Sequence, residues 1–153
     1  MPRRSRFGLA ALLAALAVGA TGCGGDDSSE LEDYEASVVD TRNRVEIAFA
    51  NISEAQTRAD FSKRMEEASV RIERAADDLG EAEVAEGFED ETDRLTKALR
   101  KLATDLEATA EQFRLTPELF NTAGLNFEGW TKANQIFTSL SKQGIQVRPL
   151  DKH

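Results

Sequence analysis

The apolar positions between residues 88 and 113 recur in alternating steps of four and three, and charged side chains occupy the positions between them. This spacing is the heptad pattern of an amphipathic helix whose narrow apolar stripe must be covered by other helices. At about 1.5 Å per residue the helix would be roughly 40 Å long. The stripe consists of Phe88, Thr92, Leu95, Leu99, Leu102, Leu106, Thr109 and Phe113.

Two earlier stretches show the same helical periodicity, and they predict helices over residues 30–51 and 61–79. Their apolar stripes do not share a phase, so a single straight helix would bury one side first and nearly the opposite side later. The first stripe is Leu31, Tyr34, Val38, Thr41, Val45, Ala48 and Ile52, and the second is Phe61, Met65, Ala68, Ile72, Ala75 and Leu79.

The change of phase predicts a turn between residues 51 and 60. Ser53 followed by Gln56 has the spacing of a capping box, and Asp60 is a second candidate for the helix cap. Because no Gly or Pro marks the break, one long bent helix over residues 30–79 is the alternative.

The end of the chain predicts one more helix. Thr116 and Pro117 form a helix-start signal, which places the end of the third helix near Leu115. A fourth helix is expected over residues 127–143, closed by a glycine cap at Gly144, with an extended or frayed tail after it. We therefore predict an all-α, antiparallel three- to four-helix bundle over residues 31–145, with a tail over residues 146–153.

The N-terminus has the layout of an export signal. Residues 1–6 are basic, and residues 7–20 form an apolar run that is shorter than the roughly 20 residues of a membrane-spanning helix. Ala20, Thr21, Gly22 and Cys23 follow directly. This segment resembles the precursor of a bacterial lipoprotein, in which a lipobox ends at a cysteine.

The resemblance implies that residues 1–22 are a cleaved signal peptide, that Cys23 is lipidated, and that the protein is anchored in the cell membrane at its extracytoplasmic face. Cys23 is the only cysteine, so it cannot form an internal disulfide. Residues 23–30 are then expected to be the lipidated cysteine and a flexible polar tether. The alternatives are ordinary cleavage near Gly22 and an uncleaved signal anchor.

The net charge is −9, and because the first 22 residues carry three arginines and no acid, the remainder carries −12. A body of this charge repels phosphate backbones, so nucleic acid is not an expected partner. A basic partner or simple solubility fits the charge.

Five of the nine aromatic residues after the leader lie between residues 113 and 137. Either they pack the last helix onto the bundle, or they form a binding groove for a peptide or small ligand. The candidate groove residues are Phe120, Phe127, Trp130, Asn134 and Phe137, with Asn121 and Asn126 as further polar groups and Phe113 as a neighbour. The polar stripe residues Tyr34, Thr41, Thr92, Thr109 and Asn134 are expected to hydrogen-bond across helices or to their own backbone.

Candidate catalytic groups are scarce. The only histidine is His153 and the only cysteine is Cys23, which disfavours histidine-based catalysis, a thiol nucleophile and a zinc site. We expect no catalytic residues, no metal and no cofactor.

The sequence therefore predicts a non-catalytic interaction or binding module whose protein partner is unknown. The alternative is a structural coiled-coil protein that self-associates through the 88–113 seam, and an enzyme that uses carboxylates alone is a third hypothesis. The oligomeric state is left open.

Overall fold

The computed structural model describes residues 26–116 and 126–151, and these residues form four α-helices with no strand among them. This confirms the predicted all-α bundle. The helices are α1 (Asp26–Ser53), α2 (Arg58–Glu81), α3 (Glu89–Leu115) and α4 (Glu128–Lys142).

Each helix packs against the next and runs antiparallel to it. Ser62, early in α2, bonds the carbonyl of Ala110, late in α3. Gln143, just after α4, bonds Glu91, in the first turn of α3. The chain therefore runs up and down through the bundle, and α1 and α3 point the same way.

The heptad stripe of α3 forms the centre of the core. Leu95, Leu99, Leu102 and Leu106 are completely buried. The last part of the predicted stripe is shifted, because Thr109 is half-buried and Ala110 is completely buried. This difference arises because α3 contacts both α2 and α4, so its buried face is wider than a heptad seam.

The packing of α2 on α3 is organised by small polar residues that the apolar pattern did not reveal. The Ser62 hydroxyl donates to the Ala110 carbonyl at 2.9 Å, and the Ser69 hydroxyl donates to the Ala103 carbonyl at 2.8 Å. The next position on α2 after Ser62 and Ser69, seven residues further along, is Ala76, and the next on α3 after Ala110 and Ala103 is Thr96. The series of serine-to-carbonyl bonds ends here because alanine has no hydroxyl. Thr96 Oγ1 is buried without a hydrogen-bond partner among the described residues.

The predicted turn between residues 51 and 60 is confirmed, so residues 30–79 belong to two helices. The predicted caps are wrong. Thr57 is the N-cap of α2, and its side chain accepts a bond from the Asp60 N–H at 3.1 Å. Thr57 has an extended backbone that places its hydroxyl over the first turn. Ser53 instead bonds the Ala50 carbonyl at the end of α1.

The boundary of the predicted tether is also corrected. Helix α1 begins at Asp26, so residues 26–30 belong to the helix and not to a flexible segment. No Gly or Pro occurs in these five residues, and the chain can therefore continue the helix toward its N-terminus without a break.

The glycine cap of α4 is confirmed. Gly144 has a positive φ of 105°, a conformation that favours glycine. The Gly144 N–H bonds the Ser141 carbonyl and the Ile145 N–H bonds the Leu140 carbonyl, which is the Schellman arrangement. Ile145 is buried, so the cap turns the chain back onto the bundle.

Candidate binding site

The aromatic residues of the predicted groove lie in two different environments. Phe127 and Trp130 are half-buried and pack against Phe49 of α1, with ring centroids 6.1 and 4.3 Å away. Phe137 is completely buried in the core. Phe120 and Asn121 lie outside the described residues. The contacts that are described hold α4 onto α1, as expected if these aromatics pack the last helix.

The two remaining aromatic and polar candidates contact other parts of the molecule. Phe113 packs edge-to-face on Phe61 of α2, with centroids 5.6 Å apart. The side chain of Asn134 is already engaged within the molecule, because its oxygen accepts a hydrogen bond from the Leu150 N–H at 2.7 Å. Asn126 is exposed. The structure therefore brings Phe127 and Trp130 together against Phe49, buries Phe137 in the core and uses Asn134 to bond the Leu150 N–H.

The bond to Asn134 belongs to an ordered C-terminal segment, residues 145–151, which we call the strap. The strap lies in the seam between α1 and α4. Its exposed side chains are Gln146, Arg148, Pro149 and Asp151. The buried ones are Ile145, Val147 and Leu150, each at most 5% exposed. Of the two predicted states of the tail, the extended one is confirmed and the frayed one is wrong over residues 146–151, because apolar side chains there bury against the bundle.

Four side chains of α1 and α4 bind the main chain of the strap. Glu35, Glu46 and Asn134 accept hydrogen bonds from strap N–H groups, and Arg42 donates one to a strap carbonyl. The pairs are Gln146 N to Glu35 Oε2 at 2.9 Å, Leu150 N to Asn134 Oδ1 at 2.7 Å, Asp151 N to Glu46 Oε1 at 2.6 Å, and Arg42 Nη2 to Pro149 O at 3.1 Å.

Arg42 is the main polar anchor of the strap, and it is only 6% exposed. A buried cation needs charged partners, and Arg42 Nη2 lies 3.2 Å from Glu46 Oε1 and 3.3 Å from Asp151 Oδ2. Its Nε is buried without a hydrogen-bond partner among the described residues. Arg42 was not predicted from the sequence, because it lies at the edge of the apolar stripe of α1.

Three of the five polar stripe residues, Tyr34, Thr92 and Thr109, bond as predicted, whereas Asn134 bonds the strap. Tyr34 of α1 and Thr92 of α3 are 2.8 Å apart, hydroxyl to hydroxyl, in the buried core. Thr92 donates its proton to the Phe88 carbonyl, so Tyr34 is the donor of this bond. Thr109 bonds the Asp105 carbonyl of its own helix.

Burial raises the pKa of Tyr34 above its usual value near 10, and the nearby charges of Glu91 and Glu89 act in the same direction. Because the folded state holds this proton more tightly than the unfolded chain, the contribution to stability is complete below about pH 10 and is lost as the pH rises further. We expect the free energy of unfolding to fall above pH 10. The ultraviolet absorbance of tyrosinate reports the titration directly, since Tyr34 is the only tyrosine.

The matched variant is Tyr34→Phe, which removes one buried hydrogen bond and should cost about 1 kcal/mol at neutral pH. The urea unfolding of Tyr34→Phe between neutral and alkaline pH measures the loss of stability that comes from other groups that titrate in this range, such as the lysines. A decline in stability above pH 10 that is as steep in Tyr34→Phe as in the natural chain would contradict the assignment.

The outer face between α2 and α3 carries an open groove of about 690 Å³. Its lining includes Glu66, Glu73, Glu107 and Glu111, together with Val70 and Arg114. Arg114 pairs with both Glu66 and Glu111. The described residues contain no group of three or more His, Cys, Asp or Glu side chains placed to hold a metal ion.

None of the described helices combines the length and the apolar character needed to cross a membrane. Comparisons with protein-family models, with curated proteins and with solved structures find no match for this chain.

Proposed function

We propose that this protein is a lipid-anchored, extracytoplasmic binding module whose helical bundle is held at the cell membrane through Cys23. The observation that carries the proposal is the position of this single cysteine at the end of a basic and apolar leader. The resemblance to lipoprotein precursors depends on Ala20, Thr21, Gly22 and Cys23. A lipoprotein carries more than one acyl chain, which is what stable anchoring needs.

The start of α1 supports a short connection to the membrane. Helix α1 begins at Asp26, so only two residues separate it in sequence from Cys23. A fully extended chain spans at most about 3.6 Å per residue, which would keep the first turn of α1 close to the lipid headgroups. The bundle would thus present its surface to partners near the membrane.

We propose binding and not catalysis because the residue types for common catalytic sites are missing. His153 and Cys23 are the only histidine and cysteine of the chain. The carboxylates of the α2/α3 groove lie in an open cleft, where Arg114 neutralises part of their charge. A polar, interaction-making role fits this surface better than an enclosed reaction site.

The alternative function is self-association through the 88–113 seam. Leu95, Leu99 and Leu102 are completely buried within the single chain. A second copy could contact them only if the bundle opened. The free energy lost by opening this core would exceed the free energy that most protein–protein interfaces gain. The buried seam therefore favours the binding module over the coiled-coil protein.

The test is Cys23→Ala in the full-length protein, expressed in a bacterial host with a small C-terminal tag. We expect the natural protein in the membrane fraction, released only by detergent, and labelled by an alkyne fatty acid. Cys23→Ala should lose the label completely and retain the length of the precursor. Ser28→Ala, five residues after the cysteine, is the matched control and should behave as the natural protein.

Recovery of the natural protein from the soluble medium without a fatty-acid label would contradict the anchor. Chemical crosslinking of intact cells, followed by purification from the membrane fraction, then identifies the partner. One dominant stoichiometric partner supports a binding module, whereas crosslinks between copies alone would favour self-association.

A further inference from the structure

We propose that the seam between α1 and α4 is a binding groove for an extended peptide, and that the strap occupies this groove as an internal ligand. The side chains of Glu35, Glu46 and Asn134 accept from strap N–H groups, and Arg42 donates to a strap carbonyl. These bonds address the main chain and do not depend on the bound sequence. Proteins that bind extended peptides work in this way: hydrogen bonds to the peptide main chain give affinity, and pockets for some of its side chains give specificity.

The side chains of the strap define the ligand that the groove accepts. Ile145, Val147 and Leu150 are buried, so the groove holds apolar side chains at the first, third and sixth positions. Asp151 at the seventh position pairs with Arg42. The occupant in trans is therefore an extended segment of a partner protein with three apolar residues in this spacing, followed by an acid.

The strap is placed so that such a segment can displace it. It forms a single layer whose other side chains are exposed. Among the described residues, its backbone–backbone bonds run only within the strap and to the end of α4, through Val147 to Ile145 and Ile145 to Leu140. Ordering seven residues costs free energy of the same order as burying three apolar side chains returns. The buried Nε of Arg42 is a donor that residues 145–151 leave unused, and it has no partner in the part of the chain that the structure describes.

This inference deepens the proposed binding function, since it names the site and the class of ligand. It does not depend on the anchor at Cys23. A failure of membrane attachment would leave the groove intact, and a failure of peptide binding would leave the anchor intact, so the two tests are distinguishable.

The experiment uses the full chain, purified in detergent, and a fluorescein-labelled peptide with the sequence of residues 145–153. Leu150→Asp weakens the internal ligand without changing the groove. We expect the peptide to bind Leu150→Asp at least about ten-fold more tightly than the natural chain, because a tethered competitor has a high effective concentration. Arg148→Asp, at an exposed strap position, is the matched control and should bind as the natural chain does.

Two further measurements test the recognition chemistry. Adding Arg42→Met to Leu150→Asp should weaken peptide binding by about ten-fold or more, since charge-assisted hydrogen bonds are lost. A peptide with aspartate at the Leu150 position should fail to bind any variant. Equal binding of the two peptides, or no binding to Leu150→Asp with a cooperative melting transition, would overturn the proposal.

Hydrogen exchange of the natural chain decides the case in which Leu150→Asp does not fold. Excess peptide is expected to accelerate exchange at the strap amides of Gln146, Leu150 and Asp151 and to leave the core of α3 unchanged. Unchanged exchange at these three amides would overturn the proposal. A natural dimer that dissociates on Leu150→Asp would also overturn it, because the groove would then take the strap of a second copy.

Discussion

Gly129→Ala is expected to lower the free energy of unfolding by about 3 kcal/mol or more, although it adds only one methyl group. Gly129 lies in the first turn of α4, directly against the backbone of α3. A Cβ atom at this position would be 2.3 Å from the Leu102 nitrogen, 2.6 Å from the Leu102 Cα and 2.7 Å from the Ala98 carbonyl oxygen. These atoms belong to the helical backbone and cannot rotate away, so α4 must move as a unit.

Displacing α4 would have wider consequences. Ala133, Phe137 and Leu140 are completely buried on this helix, and the aromatic contacts of Trp130 with Phe49 depend on its position. Some of this apolar surface would lose its partners, which adds to the cost of the clash itself.

Urea unfolding followed by circular dichroism measures the effect. Gln135→Ala is the matched control, because Gln135 is exposed on the same helix and alanine there should change the stability by less than about 0.5 kcal/mol. An unchanged unfolding midpoint in Gly129→Ala would show that α4 does not approach α3 as closely as described.

The sequence predicted those parts of the fold that repeat with the period of a helix. The end of α3 at Leu115, the turn before α2 and the cap at Gly144 were all read from local patterns, and the structure confirms them. Gly129 was not predicted, because a close approach of two backbones depends on the partner helix. The same reason explains why Phe49 was not recognised as the partner of Trp130.

The packing of the strap could not be predicted from the periodicity of the sequence. Its apolar positions are too few to define a period, and Arg42 is separated by 107 positions from Pro149, whose carbonyl it bonds. A buried arginine is rare enough that the sequence gives no reason to place one beside an apolar stripe. Only the folded chain brings the strap between α1 and α4, where Glu35, Glu46 and Asn134 reach its main chain.

The candidate site was likewise predictable only where neighbouring residues determine it, and not where long-range contacts do. The clustering of Phe127 and Trp130 was predicted from their spacing, but the structure places Phe137 in the core and uses Asn134 to bind the strap. An aromatic stripe on a helix therefore predicts burial, and it does not by itself predict an open groove. The polar contact of Asn134 belongs to the seam between α1 and α4, which the strap fills.

Leu99→Ala is expected to lower the free energy of unfolding by about 2 to 5 kcal/mol, the range for removing a buried leucine side chain. Leu99 is completely buried near the middle of α3, and α3 packs against both α2 and α4. The cavity would therefore lie at the centre of the bundle, where little can collapse to fill it. Leu115→Ala on the same helix is the matched control, since Leu115 is 70% exposed and its truncation should cost less than about 0.5 kcal/mol.

The dependence of this effect on protein concentration separates the two proposed functions. If Leu99 belongs to the core of a single chain, the urea midpoints of the natural protein and of Leu99→Ala should not change with concentration. If the 88–113 seam joins two copies, the midpoint of the natural protein must rise with concentration, because association stabilises the folded state by mass action. A rising midpoint that Leu99→Ala abolishes would replace the binding module with the self-associating coiled coil. A constant difference between the two proteins would assign the seam to the interior of the bundle and leave the α1/α4 groove as the place to look for a partner.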